Sequence, residues 1–247
     1  MVRPFLTAAV VLLLALPLPV EAQWSPSATL DLGMGYGRMA LGQAALNSAR
    51  RMSETSSEAF EEGEQADSWA GPSFVATFTR DPDVIETVRQ RFILFYAGDD
   101  PDNRAIMARE VESGVYHARF RELMEQRGLE PRLDDLVEVS TARFVVLWEI
   151  IHGEDVSPEK ARGVREQLRA KYAEDFWMKR MEDAEKQELA ETFVLHVAAA
   201  EIAVAEVLRR DDPELLRLYR AGIQHGLLPE GPQLDRLTIT EAGFAPL

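Results

Sequence analysis

The sequence predicts an all-α protein: a helical bundle of six or seven helices, preceded by a signal peptide and a flexible linker. Three observations predict it. Asp81-Pro82, Ser157-Pro158 and Asp212-Pro213 each place a capping side chain before a proline, which suits the unpaired first turn of a helix. The segments that follow carry apolar residues at helical spacing. No strand-like alternation runs longer than about five residues.

Residues 1–22 read as a secretory signal peptide. Met1-Val2-Arg3 is a basic start, Leu6 to Leu16 is an unbroken apolar run, and Pro17-Leu18-Pro19 ends any helix. Val20-Glu21-Ala22 then supplies a cleavage site before Gln23. The apolar run is shorter than the roughly 18–20 residues a membrane span requires. Residues 23–72 read as a flexible acidic linker, with Gly33-Met34-Gly35-Tyr36-Gly37 and the Ser- and Glu-rich stretch Ser53 to Asp67. Such a segment buries too little apolar surface to offset its ordering entropy. Within it, 38–52 partly follows a helical stripe.

The helical domain is placed at 73–247. After an extended lead-in, Ser73 to Phe78, a first helix opens at Asp81-Pro82 with Val84, Ile85, Val88, Phe92 and Phe95 on one face, and closes at Gly98. A second helix is predicted over 102–112, and a third over 115–127, stopped by Gly128. Leu133 to His152 is the most apolar stretch, so it is placed at the centre, ended by Gly153. A helix from Ser157-Pro158 runs to Asp175. Asp183 to Arg210 is the longest, and its alanines permit a close neighbour, which makes it the second central element. Asp212-Pro213 opens a last helix to His225, and the tail holding Leu237, Ile239 and Phe244 folds back on the body.

Composition narrows function. A net charge of −15 disfavours nucleic acid and anionic surfaces. With no cysteine, the chain has no disulfide, lipidated cysteine, thiol nucleophile or thiolate metal site. Arginine greatly outnumbers lysine, a bias read as that of a GC-rich bacterial genome.

Few motifs carry chemistry. Glu149 and His152 form a Glu-x-x-His pair, but a carboxylate-bridged dimetal bundle needs two such pairs. His152 sits in the last turn, where an imidazolium suits the helix dipole, so both residues are read as polar positions at a helix end. Glu110-Val111-Glu112-Ser113-Gly114 resembles the segment around the catalytic acid of lytic transglycosylases. The family's downstream Gly-Leu-Met-Gln segment is missing, and Gly114 is read as a helix break. His196, Glu201 and Glu206 stand five residues apart, about 140° on a helix, so they share no face. Gly33-x-Gly35-x-Gly37 lacks the strand and helix of a phosphate loop.

Phe78-Thr79-Arg80-Asp81-Pro82, Lys186 to Glu191, and Leu237-Thr238 with Gly243-Phe244 resemble an uncharacterised group of secreted bacterial proteins, a domain of unknown function. The resemblance covers 73–246 and implies an exported helical domain without an assigned activity. The sequence thus favours a non-enzymatic module, periplasmic or extracellular, that binds an unknown protein or envelope component. No cofactor, metal, nucleic acid or stable membrane span after signal cleavage is expected. The alternatives are a metal-binding bundle using Glu149, His152 and His196, or an envelope hydrolase.

Overall fold

The computed structural model describes residues 73–227 and 233–247. The signal peptide, the linker and the helical stripe at 38–52 lie outside the described residues. What is described is all-α, with eight helices, one 3-10 turn and a two-stranded hairpin.

Helix starts follow the capping side chains. Asp81 accepts from the Asp83 amide at 2.9 Å and opens α1 (Pro82–Ala97). Asp100 caps α2 (Pro101–Glu112), and Gly114, at φ 76°, turns the chain into α3 (Val115–Gln126). Asp135 accepts from the Val137 and Glu138 amides and opens α4 (Leu136–His152). The central helix therefore starts three residues later than Leu133, where apolar periodicity placed it. Ser157 caps α5 (Pro158–Glu174), and Asp175 both closes α5 and caps the five-residue α6 (Phe176–Arg180). Glu182 and Glu185 form a reciprocal capping box at α7 (Asp183–Arg209). Asp212 accepts from the Glu214 and Leu215 amides to open α8 (Pro213–Leu227).

Among the described residues the helices number eight, against the six or seven expected. Helix α6 accounts for the excess, because five residues are too few for a periodicity to register.

Helices α4 and α7 pack together at the centre, as their composition predicts. Leu136, Val137, Val139, Ala142, Val145 and Leu147 are wholly buried on α4, and Val194, Leu195 and Ala198 on α7. Helices α1 and α3 pack on α7, and α5 packs on α4. Burying each of these Val and Leu side chains stabilises the fold by about 1.5–3 kcal/mol. The extended lead-in is pinned to the start of α4 by an isolated bridge, Thr77 to Asp135: the Phe78 amide donates to the Asp134 carbonyl, and the Leu136 amide to the Ala76 carbonyl, both at 3.0 Å.

The C-terminal tail folds back as a hairpin, β1 (Leu237–Thr240) paired antiparallel with β2 (Gly243–Pro246), Ile239 opposite Phe244. It lies on α5 at Gly163, where a Cβ would overlap the Glu241 carbonyl. The Gln167 side chain meets the Phe244 backbone twice, accepting from its amide at 2.8 Å and donating to its carbonyl at 3.0 Å. Four-residue strands fall below the length at which alternation is legible, so the sequence located the fold-back without its strands.

Candidate functional site

Glu149 and His152 leave the same helix end in different directions. One Glu149 oxygen accepts from Arg127 Nε at 2.8 Å and also from Arg127 Nη2, and the other accepts from the Val156 amide at 2.9 Å. Burial raises the Glu149 pKa, with Arg127 opposing. His152 stacks on Trp148 with centroids 4.2 Å apart, and its Nε2–H donates to the Leu234 carbonyl at 2.9 Å. The carboxylate thus locks the α3 end to the loop before α5, and the imidazole clamps the 3-10 turn at 234–236. They do not converge on a common ligand. Among the described residues, no group of three or more metal-ligating side chains comes together.

His196, named with them as a metal candidate, sits among aromatic rings. It is half-buried by exposed area, yet its ring centroid lies 5.2–5.6 Å from those of Phe92, Phe95 and Tyr96. Desolvation, with the nearby Arg143 charge adding to it, lowers its pKa to about 4. It is a neutral packed histidine, with Tyr96 Oη at 3.3 Å from its Nδ1.

The acidic positions on α7 each find a separate partner. Glu191 is buried against His117, Nε2 to Oε1 2.5 Å, with Arg80 at 3.5 Å from its other oxygen. Glu201 takes a two-pronged grip from Arg119, whose pKa rises in response. Glu206 is half-exposed and pairs with Arg209 and Arg210 of its own helix end. The five-residue steps do separate them, as helical geometry requires.

The segment Glu110 to Gly114 has no enclosed carboxyl. Glu110 is exposed and accepts from Tyr116 Oη at 2.9 Å. Gly114 is the left-handed residue between α2 and α3, a helix break as read from sequence.

One surface was not singled out from the sequence. On α6, Phe176 and Trp177 are each 47 % exposed, edge to face at 5.4 Å, and the Arg180 guanidinium lies 3.9 Å from the Phe176 ring centre. Arg162, Arg169 and Lys171 are exposed along α5, and Lys179 is half-exposed on α6. Residues 160–180 hold seven Lys or Arg against three Asp or Glu, and all four lysines of this acidic chain lie between Lys160 and Lys186. That local reversal of charge was the available signal. Exposed Trp and Phe with Arg beside them is the composition of energetically dominant contact residues.

Helix α6 follows from local chemistry. Asp175 breaks α5 with an extended backbone, then caps the next turn by accepting from the Trp177 and Met178 amides at 2.8 and 3.0 Å. This short turn carries the two aromatics on the outside of the bundle rather than in its core.

A family model described as a family of unknown function matches residues 1–245. The match takes in the first 72 residues too, which the resemblance read from sequence leaves out. No curated protein and no solved structure matches the chain. No helix among the described residues is long and apolar enough to cross a membrane.

Proposed function

We propose that this chain, which belongs to the DUF6683 family of unknown function, is an exported, non-enzymatic helical domain that binds a protein or another envelope component. The observation that carries the reading is the exposed pair Phe176 and Trp177, with the Arg180 guanidinium over the Phe176 ring. At 47 % exposure each ring forfeits about half of the ~1.5–3 kcal/mol that full burial would give, a cost that a contact surface recovers on binding. The ionisable residues that a catalytic or metal-based alternative would use, Glu149, His152 and His196, are engaged in holding helices and loops together. The signal-like residues 1–22 support export.

The test is site-specific photocrosslinking in intact bacteria expressing the full chain. A photoreactive residue at Trp177 is expected to yield discrete adducts, and one at the exposed Leu218 of α8 is expected to yield none. Equal adducts at both positions, or none at Trp177, would count against the reading.

A further inference from the structure

We infer that α2 is a hinged lid: residues 99–113 swing as one body about Gly98 and Gly114, are held shut by the Tyr116–Glu110 hydrogen bond, and on opening uncover the aromatic wall of Tyr116 and Phe92. The lid stands apart from the Phe176–Trp177 surface and does not rest on the binding reading.

Three observations carry it. The first is the pair of hinges. Gly98 at φ 59° and Gly114 at φ 76° bracket α2, and a Cβ on either would meet nothing within 4 Å. The other described glycines at positive φ, Gly128, Gly153 and Gly243, are packed against Pro158, Arg220 and Gln167. Backbone free of neighbours can change its φ and ψ without displacing anything, and glycine does so at the least steric cost.

The second is how little α2 gives to the core. Of its twelve residues only Val111 is buried, whereas α1 buries four and α3, of the same length, buries five. Met107 and Ala108 are half-buried, and Ile106 is exposed. Segments with few buried apolar side chains open at the lowest free energy.

The third is where its polar bonds go. Asp100 caps the first turn of α2, and Arg104 pairs with Asp99 and donates to the Gly98 carbonyl at the pivot. Arg109 donates to the Ala105 carbonyl, and the Ser113 hydroxyl to the Glu110 carbonyl. These bonds travel with the lid. Apart from the Val115 amide reaching Ser113 Oγ across the hinge, the side-chain bonds described between the lid and the body both end on Tyr116. Its hydroxyl donates to Glu110 Oε2 at 2.9 Å and lies 3.5 Å from Met107 Sδ. Tyr116 is itself buried, its ring 5.4 Å from that of Phe92, so the latch is anchored in the core.

The chain has no cysteine, so a thiol placed at Val111 reports opening without background. Val111→Cys in the full chain, treated with a thiol reagent under native conditions, is expected to react faster than Val146→Cys on α4. Both sites are 1 % exposed, and only Val111 lies on the lid. Low urea should raise the Val146→Cys rate steeply and the Val111→Cys rate little, because a lid exposes far less surface than global unfolding. Adding Tyr116→Phe should speed the Val111→Cys reaction roughly 2–10-fold, the worth of one hydrogen bond. Hydrogen exchange of the wild type gives a second reading: amides across α2 should share one level of protection, below that of α1 and α3. Equal thiol rates with the same urea dependence would show that Val111 is reached only by global unfolding, and would overturn the lid. So would a Val111→Cys rate indifferent to Tyr116→Phe, or exchange graded inward from the ends of α2, the pattern of fraying.

Discussion

Arg127 closes α3 by pointing its guanidinium at Glu149, twenty-two residues away on α4, with Nε 2.8 Å from the carboxylate. Both side chains are nearly buried, at 12 % and 10 % exposure. Arg127 Nη1 also donates to the Leu123 carbonyl at 2.6 Å, so one side chain ties its own helix end to the central helix.

Arg127→Met should therefore destabilise the fold by about 3 kcal/mol at pH 7.5, because it strands a buried carboxylate. At 2–4 °C per kcal/mol, Tm should fall by roughly 6–12 °C. Burial already raises the Glu149 pKa, so the ionised form is the costly one. Stability associated with this group is lost as pH rises, and the variant's deficit should shrink at pH 5. Thermal melts at the two pH values check this; a deficit that grows on acidification would refute the assignment.

Gly163→Ala offers a test of the hairpin contact. In an open helix it would add about 1 kcal/mol of helix propensity. Here the new Cβ would overlap the Glu241 carbonyl, and backbone must move. Tm should fall, and amides across 237–246 should exchange faster than those of α4. Stabilisation would mean that the hairpin does not rest on Gly163.

His196 should give the fold an acid-side weakness. Its pKa is lowered from 6.5 to about 4, so the unfolded chain takes up a proton that the folded one refuses. Stability present above pH 6.5 is then lost as pH falls toward 4, by up to about 3 kcal/mol at 1.36 kcal/mol per unit. Tyr96 and Arg143 are its polar neighbours, and Arg143 reinforces the sign. Urea denaturation at several pH values should show a shallower decline for His196→Phe than for wild type. Parallel declines would remove His196 as the cause.

A chain starting at Gly71 should keep its helical dichroism and melt cooperatively. The extended lead-in is tied to the start of α4 by backbone hydrogen bonds, and Phe74 meets Tyr172. Loss of cooperative melting would show that the core needs residues before 71.

Exported protein should begin at Gln23, within a few residues, on N-terminal sequencing. Recovery of the uncut chain from membranes would contradict the signal-peptide reading.

Helix starts and stops were legible in the sequence by itself because their causes are local. Asp81, Ser157 and Asp212 satisfy amides two or three residues ahead, and Gly98 and Gly153 take up the positive φ that ends a helix. The centrality of α4 and α7 was legible too, since apolar and alanine-rich surfaces must be buried. Only the tertiary structure decided what Glu149, His117 and Glu201 do, since their partners, Arg127, Glu191 and Arg119, sit 22, 74 and 82 residues away. Such pairings depend on how helices cross and rotate about their axes, which periodicity leaves open. For the same reason the exposure of Phe176 and Trp177 was hidden: an aromatic pair reads as core in sequence, and only the turn made by Asp175 carries it to the surface.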